Sequence, residues 1–336
     1  MQTGQSEATG GGTIALTGAS GLLGGALARR LREDGVPLRL LLRKPHAEWQ
    51  SGPGIEVIIG ELDDGDALDR LVEGVDAVVH VAAMYRNDGP REDFLKANTE
   101  GTCNLLAAAQ RARVRRFVYC STIGVHGSVE HSPSDEEAPF APRDNYQESK
   151  LLAEQACRAA VGQTPTEIVI LRPCGIYGPG DTRMLKMFRM LNKGRFVLVG
   201  KCEANFHPVY IDDLVDGFVR AVRAPGIDGE TFILGGPEYL PLGDYVGVAA
   251  AALGVPGPRI RIPYRLMETA ARLCESVSRA IGVEPPLHRR RLTFFKHNRA
   301  FSIEKARKRL GYDPQVGLEE GFRRTVAWYR QQGLLA

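Results

Sequence analysis

From Thr13 onward, short apolar runs rich in Val, Ile and Leu alternate with longer stretches whose apolar residues recur every three or four positions. The runs Thr13–Thr17, Leu38–Leu42, Ile55–Ile59, Asp76–Val81, Arg116–Cys120 and Glu167–Leu171 predict strands, and the stretches between them predict helices. Five or six residues with little polar alternation suit a strand covered on both faces. Such strands separated by helices make right-handed βαβ units, so the fold class is α/β, a doubly wound parallel sheet with helices on both faces. After about Gly178 the alternation loosens and prolines punctuate the chain at Pro179, Pro241, Pro256, Pro258, Pro263, Pro285 and Pro286. This predicts a flexible tail over 1–12, a first domain over 13–178 and a smaller lobe over 179–336, with about 205–235 returning to the first domain. One helix of the lobe places Leu266, Ala270, Leu273, Val277 and Ile281 at 3.6-residue spacing beside a basic row of Arg265, Arg272 and Arg279. The plain expectation packs the apolar stripe on the core; the alternative is a lid or membrane-surface contact for an apolar substrate.

Composition narrows the class. The 336 residues are 43% hydrophobic and 25% charged, enough for a sizeable core, and the net charge of +3 is far from that of a nucleic-acid binder. Six dispersed cysteines (Cys103, Cys120, Cys157, Cys174, Cys202, Cys274) contain no Cys-x-x-Cys pair, which argues against a zinc site or a disulfide framework and fits a cytoplasmic setting. The first dozen residues lack the pattern of a secretory signal. The nearest approach to an apolar span, Val246–Val255, is too short to cross a bilayer, so the expectation is no stable membrane insertion and at most peripheral contact.

Two motifs carry chemistry. The first strand runs straight into Gly18-Ala19-Ser20-Gly21-Leu22-Leu23-Gly24 and then a helix. Gly18 permits the tight turn, Gly21 removes a Cβ that would keep backbone N–H groups from a pyrophosphate, and Gly24 allows close helix–strand packing, while the helix N-terminus faces the phosphates. The second strand ends in Arg43 and Lys44, where an NAD site usually has an acid, so NADP is favoured over NAD. Farther on, Tyr146 and Lys150 lie one helical turn apart on one face. A phenol with a pKa of about 10 is a poor proton shuttle near neutrality; a cation about 4 Å away supplies about 4 kcal/mol at most, enough to lower that pKa by about three. The strand before it delivers Ser121-Thr122 to its carboxyl end, where a hydroxyl can bond the substrate oxygen.

These motifs resemble those of the extended short-chain dehydrogenases/reductases, and the resemblance covers Thr13 to Leu335. It rests on Thr17-Gly18-x-x-Gly21-x-x-Gly24, Asp76-x-Val78-x-His80-x-Ala82-Ala83, Asn98-x-x-Gly101-Thr102, Ser121-Thr122, Tyr146-x-x-x-Lys150, Leu171-Arg172-Pro173 and Tyr177-Gly178-Pro179-Gly180. In the tail, Lys305-Ala306, Leu310-Gly311-Tyr312-x-Pro314 and Glu319-Glu320-Gly321 fit as well. The resemblance implies a Rossmann nucleotide-binding domain with a smaller C-terminal substrate-binding lobe. It makes Tyr146 the acid/base, Lys150 also a ligand of the nicotinamide ribose, and Thr122 rather than Ser121 the substrate-facing hydroxyl. It places Ser20, Leu22, Leu62, Asp63, Ala82, Ala83, Asn98 and Pro173 along the cofactor. Candidate substrate contacts are Tyr85, Thr122, Cys174, Gly175 and His207, and no metal is expected.

Family members that act on nucleotide sugars carry anchors that are doubtful here: Cys174 and Gly175 follow Arg172-Pro173, Asn205-Phe206-His207 precede Tyr210-Ile211-Asp212-Asp213, and the late segment reads Asn298-Arg299-Ala300-Phe301. Arg183, Lys201 and the Arg289–Arg291 run are the cations left to hold a diphosphate. The Leu171–Asp181 stretch and the segment from Arg289 to Tyr312 resemble the branch of 3β-hydroxysteroid and sterol dehydrogenases and ketone reductases. The sequence therefore points to hydride transfer between a nicotinamide and a secondary alcohol or ketone on a bulky, apolar, sterol-like small molecule. The rivals are a nucleotide-sugar epimerase with tightly bound NAD and a non-catalytic NAD(P)-sensing protein; a homodimer is left open.

Overall fold

The computed structural model describes residues 12–85, 89–281, 283, 292 and 295–335. Residues 1–11 of the expected tail, Pro285, Pro286 and the Arg289–Arg291 run lie outside the described residues, as do the side chains of 279–281.

Strands β1 (Ile14–Thr17), β2 (Leu38–Leu42), β3 (Ile55–Ile59), β4 (Ala77–His80), β5 (Arg116–Cys120) and β6 (Glu167–Pro173) join strand Thr231–Leu234 in one seven-stranded sheet. From one edge the order is Thr231–Leu234, β6, β5, β4, β1, β2, β3. Every register from β3 through β6 is parallel. The six expected strands are present. Their ends differ by one or two residues: β1 starts at Ile14, β4 spans Ala77–His80, and β6 continues to Pro173. All residues of β1, β4 and β5 are buried, which is why these strands read as unbroken apolar runs rather than alternating ones. The edge strand β3 is less covered, with Glu56 and Ile59 exposed and only Ile58 buried.

The strand order reverses between β1 and β4, where Thr17 pairs with His80. In an open α/β sheet that reversal opens a crevice at the carboxyl ends of the two strands. Helices α1 (Leu22–Glu33), α2 (Gly65–Val72), α3 (Arg91–Phe94), α4 (Gly101–Arg111) and α5 (Asn145–Ala160) accompany the sheet, and a π-helical turn, Leu95–Glu100, links α3 to α4.

The chain forms two compact units. One holds the described residues through Thr122, then Pro142–Arg172 and Val215–Phe232; the other holds Ile123–Ala141, Pro173–Leu214 and the described residues from Ile233 on. The division is thus discontinuous in sequence, with Ile123–Ala141 in the second unit and Val215–Phe232 in the first. Helix α6 (Leu185–Asn192) belongs to the second unit, and α7 (Ile211–Arg223) spans the partition in sequence. The second unit also carries α8 (Leu242–Leu253), α9 (Tyr264–Ile281), α10 (Glu304–Leu310) and α11 (Leu318–Gln331). Its centre is aromatic: Phe322 meets Tyr177, Phe188 and Tyr245 edge-on, with ring centroids 5.3, 5.2 and 5.1 Å away.

Helix α9 forms where it was expected but packs on a different face. Leu266, Leu273 and Val277 are 63%, 67% and 52% exposed; the face turned inward is Tyr264, Met267, Ala271 and Ser278. Ala271 packs with Val199 and Leu292. Apolar periodicity shows that a stripe exists but not what it faces, and small Ala271 and Ser278 permit the close approach that larger leucines do not.

Candidate active site

The glycine loop has the geometry its sequence implies. Gly18 has φ +84°, and a Cβ there would meet the Ala82 backbone nitrogen at 2.8 Å, so only glycine lets the turn after β1 touch the end of β4. A Cβ on Gly24 would strike the Gly18 carbonyl, which holds α1 tight against the turn. On Gly21 a Cβ would meet a single atom, the Gly18 oxygen at 3.3 Å. Gly21 is the α1 N-cap and offers no side chain to the helix amides, and Ser20 and Gly21 are exposed. Uncapped amides above an open glycine shelf fit a nucleotide pyrophosphate.

Sequence reading missed one support of this loop. Trp49 is 1% exposed, and its indole N–H donates to the Ala19 carbonyl at 3.0 Å. A lone Trp in an irregular stretch carries no signal of such a contact. Arg43 and Lys44 stand exposed after β2. Asp63 is exposed and paired with Lys96 at 3.1 Å, and that ammonium lowers its pKa. Leu62 is held from both sides: Asn104 donates to its carbonyl at 3.0 Å, and a Cβ on Gly101 would reach its own Cβ at 2.8 Å.

A buried relay fixes the end of β4. The Ala82 N–H donates to Thr17 Oγ1 (3.2 Å), which donates to His80 Nδ1 (2.7 Å); His80 Nε2–H donates to Thr102 Oγ1 (2.9 Å), which donates to the Asn98 carbonyl (2.5 Å). Every donor finds an acceptor only if His80 is neutral with its proton on Nε2. Burial, aided by the Lys150 charge, pushes its pKa down to about 3. Asn98, expected along the cofactor, has its amide committed to the protein: it accepts from Met84 N and donates to Met84 O and Ser149 Oγ at 2.6, 3.1 and 2.9 Å. It therefore acts as a clamp between the β4 loop and α5, because a buried amide must be satisfied where it lies.

Helix α5 starts at a cap. Asp144 accepts from Gln147 N at 2.8 Å, and the Gln147 side chain accepts from Arg143 N at 2.8 Å. This sets half-buried Tyr146 in the first turn and Lys150, 1% exposed, in the second. The Lys150 ammonium lies 4.2 Å from the Tyr119 ring centroid, and burial lowers its pKa to about 8 against partial compensation by neighbouring acidic groups. At neutral pH it is still a cation. Tyr85 stands edge-on to Tyr146 with centroids 4.8 Å apart.

The two hydroxyls after β5 are separated in role. Ser121 is buried and donates to Glu154 Oε2 at 2.6 Å; Thr122 is half-buried. Glu154 and Arg172 are both fully buried and paired at 2.5 Å, with Arg158 adding 3.1 Å from outside. Burial raises the Glu154 pKa, but the Arg172 and Ser121 hydrogen bonds outweigh it and the net direction is down. The buried acid thus takes up the Ser121 hydroxyl. Arg172 was visible in its motif. Glu154 was not, because an acid one turn past Lys150 on an amphipathic helix reads as a surface residue.

Of the remaining expected substrate contacts, His207 and Cys174 lie in the second unit and are buried by protein. His207 Nε2–H donates to the Gly236 carbonyl at 3.0 Å and Phe301 N donates to Nδ1 at 3.4 Å, so it is a satisfied core histidine, held neutral by burial. Cys174 is 5% exposed, its N–H bonded to Leu234 O at 2.9 Å, its thiol pKa pushed far up by burial. Gly175 packs against Phe206, whose ring leaves no room for a Cβ, and Pro173 is buried at the end of β6. Tyr85 belongs to the same unit as Tyr146, whose ring it meets. Among the described residues no group of His, Cys, Asp and Glu is placed to hold a metal ion.

This sheet with its glycine loop and Tyr-x-x-x-Lys helix defines a class. The chain matches the NAD dependent epimerase/dehydratase family over residues 14–235 and belongs to it, as an enzyme of the extended short-chain dehydrogenase/reductase type. It is 32% identical to the 2-alkyl-3-oxoalkanoate reductase of Stenotrophomonas maltophilia, over 94% of this chain and 98% of that one. It is 30% identical to a 3-beta-hydroxysteroid dehydrogenase of Mycolicibacterium neoaurum, over 95% and 91%. A short-chain dehydrogenase/reductase superfamily protein from Agrobacterium tumefaciens, solved with bound NAD, is similar at a TM-score of 0.73 and 25% identity, covering 95% of this chain and 98% of that one.

Proposed function

We propose that the protein transfers hydride reversibly between NADP and a secondary alcohol or ketone on a bulky, apolar skeleton. The observation that carries the reading is the wholly buried Lys150 cation one turn beyond half-buried Tyr146, with half-buried Thr122 directly after the Ser121 that bonds Glu154 at the strand end. The glycine shelf, Trp49 and the uncapped α1 amides fit a dinucleotide, whose nicotinamide supplies the hydride donor or acceptor when bound. Tyr146 gives the proton to the carbonyl oxygen, or takes it from the alcohol, while Thr122 donates a hydrogen bond to the same atom. Lys150 favours the phenolate of Tyr146 by its charge. Exposed Arg43 and Lys44 suit a 2′-phosphate, which supports NADP over NAD. The apolar substrate is supported by the doubtful sugar anchors and by the names of the two relatives, a hydroxysteroid dehydrogenase and an alkyl-oxoalkanoate reductase.

The test is turnover of the purified protein with NADPH or NADH and a panel holding a 3-oxosteroid, a 2-alkyl-3-oxoalkanoate and a UDP-sugar. Net oxidation of NADPH by an apolar ketone is the expected result, with kcat lowered about 10²- to 10⁴-fold in Tyr146→Phe. Arg43→Ala should raise KM for NADPH about tenfold and leave that for NADH nearly unchanged. Interconversion of the sugar without net change in nicotinamide absorbance would instead establish the epimerase.

A further inference from the structure

Helix α9 has three faces. One packs inward through Tyr264, Met267, Ala271 and Ser278. A second, about 120° away around the helix axis, is the exposed apolar stripe Leu266, Ala270, Leu273 and Val277. The third carries Arg265 and Arg272, both exposed. Exposed Ile260 precedes the helix and exposed Val283 follows it. Among the described residues, nine large apolar or aromatic side chains stand out as exposed, and these two with Leu266, Leu273 and Val277 make five of them. Such concentration in one stretch marks a contact surface, since scattered apolar residues would be spread over the fold.

The charge of the same stretch says what the surface meets. Among the described side chains of residues 259–299, six Arg and Lys stand against two Glu, a net of +4, whereas the whole chain carries +3. At the N-terminal end of α9 a shallow cavity of about 520 Å³ is lined by Lys201, Arg265 and Lys296 together with Tyr264 and Glu203. The polar atoms between the two exposed stripes are already satisfied: Thr269 Oγ1 donates to the Arg265 carbonyl and Ser276 Oγ to the Arg272 carbonyl, each at 2.9 Å. Placing them at the edge of a hydrocarbon layer therefore strands no hydroxyl. A second copy of the chain would bring another cationic surface to the same place, and a nucleic acid has no use for a leucine stripe. Among the described residues no helix is long and apolar enough to cross a bilayer, so this one can only lie on it.

We propose that α9 docks the protein on an anionic bilayer surface, with Leu266, Leu273 and Val277 entering the acyl boundary and Arg265, Arg272, Lys201 and Lys296 meeting lipid phosphates. The docking is independent of which substrate is reduced. It combines the two signals that interfacial helices need, apolar area and cationic charge.

The test is co-sedimentation of the full chain with vesicles of phosphatidylcholine alone and of phosphatidylcholine with about a third phosphatidylglycerol. Binding to the anionic vesicles at low salt, weakened by added salt, is expected. The triple variant Leu266→Ser, Leu273→Ser, Val277→Ser should lose binding by tenfold or more, on the order of the apolar area removed. Arg265→Gln with Arg272→Gln should lose about fivefold per arginine and become less sensitive to salt. All five positions are exposed, so thermal unfolding and far-ultraviolet dichroism should match the parent protein and exclude misfolding as the cause. The proposal is overturned if the parent stays in the supernatant with both vesicles, or if the triple variant sediments like it. It is also overturned if the stripe proves to hold a dimer, seen by light scattering as a dimer that the triple variant dissociates.

Discussion

In the proposed reaction, Lys150 is the residue where function and stability oppose each other. Its folded pKa of about 8 lies below the ordinary 10.5, so between those values the unfolded chain binds more protons than the native state, and stability from this group rises with pH across that window. Below it, at neutral pH, the buried cation costs about 3 kcal/mol. Lys150→Met, which keeps the length and removes the charge, should therefore abolish measurable turnover while leaving Tm at pH 7 equal or higher. Turnover kept with a lower Tm would refute the assignment. Tyr146, Lys150 and the glycines were legible because their spacing alone implies a chemical use. The hydrogen bonds that Asn98, His207 and Cys174 make within the protein were not legible, since a sequence does not show that a polar group has its partners inside the fold.

At the scale of elements, β5, β6 and α5 are held in register by one buried ion pair. Glu154 on α5 bonds Arg172 on β6 and Ser121 after β5. Removing one partner leaves a buried charge uncompensated, so Glu154→Gln should destabilise the protein by about 3–5 kcal/mol in urea unfolding, and Glu154→Leu with Arg172→Met should recover most of it. Failure of the double variant to recover would mean that the pair acts through packing rather than charge. Strand positions were readable because parallel strands covered on both faces leave unbroken apolar runs. The face that α9 turns inward was not, because Leu266, Leu273 and Val277 satisfy helical periodicity equally well toward a core or toward another phase.

At the scale of the whole molecule, the buried His80 relay couples folding stability to pH. The imidazole keeps a pKa of about 3 in the fold against 6.5 free, so between these values only the unfolded chain takes up its proton and stability falls as pH falls. The slope owed to this one group is at most about 1.4 kcal/mol per pH unit. His80→Gln should flatten the acid limb of an unfolding free-energy profile between pH 6.5 and 3 by that amount; an unchanged slope would show that His80 is protonated in the native state. Thr17, His80 and Thr102 lie far apart in sequence and meet because β1 pairs with β4 at the reversal of strand order.

The sequence by itself determined the strands, the glycine loop, the Tyr146–Lys150 pair and the family, since each depends on local spacing: a period of two or 3.6, a turn that needs glycine, a helical turn between two side chains. Tertiary structure alone decided which of two adjacent hydroxyls is consumed by a buried acid, that Trp49 pins the phosphate loop, and that the leucines of α9 face outward. Those outcomes depend on what lies across from a residue in space. Periodicity fixes the direction of a side chain relative to its own element and leaves its surroundings to the packing of all the others.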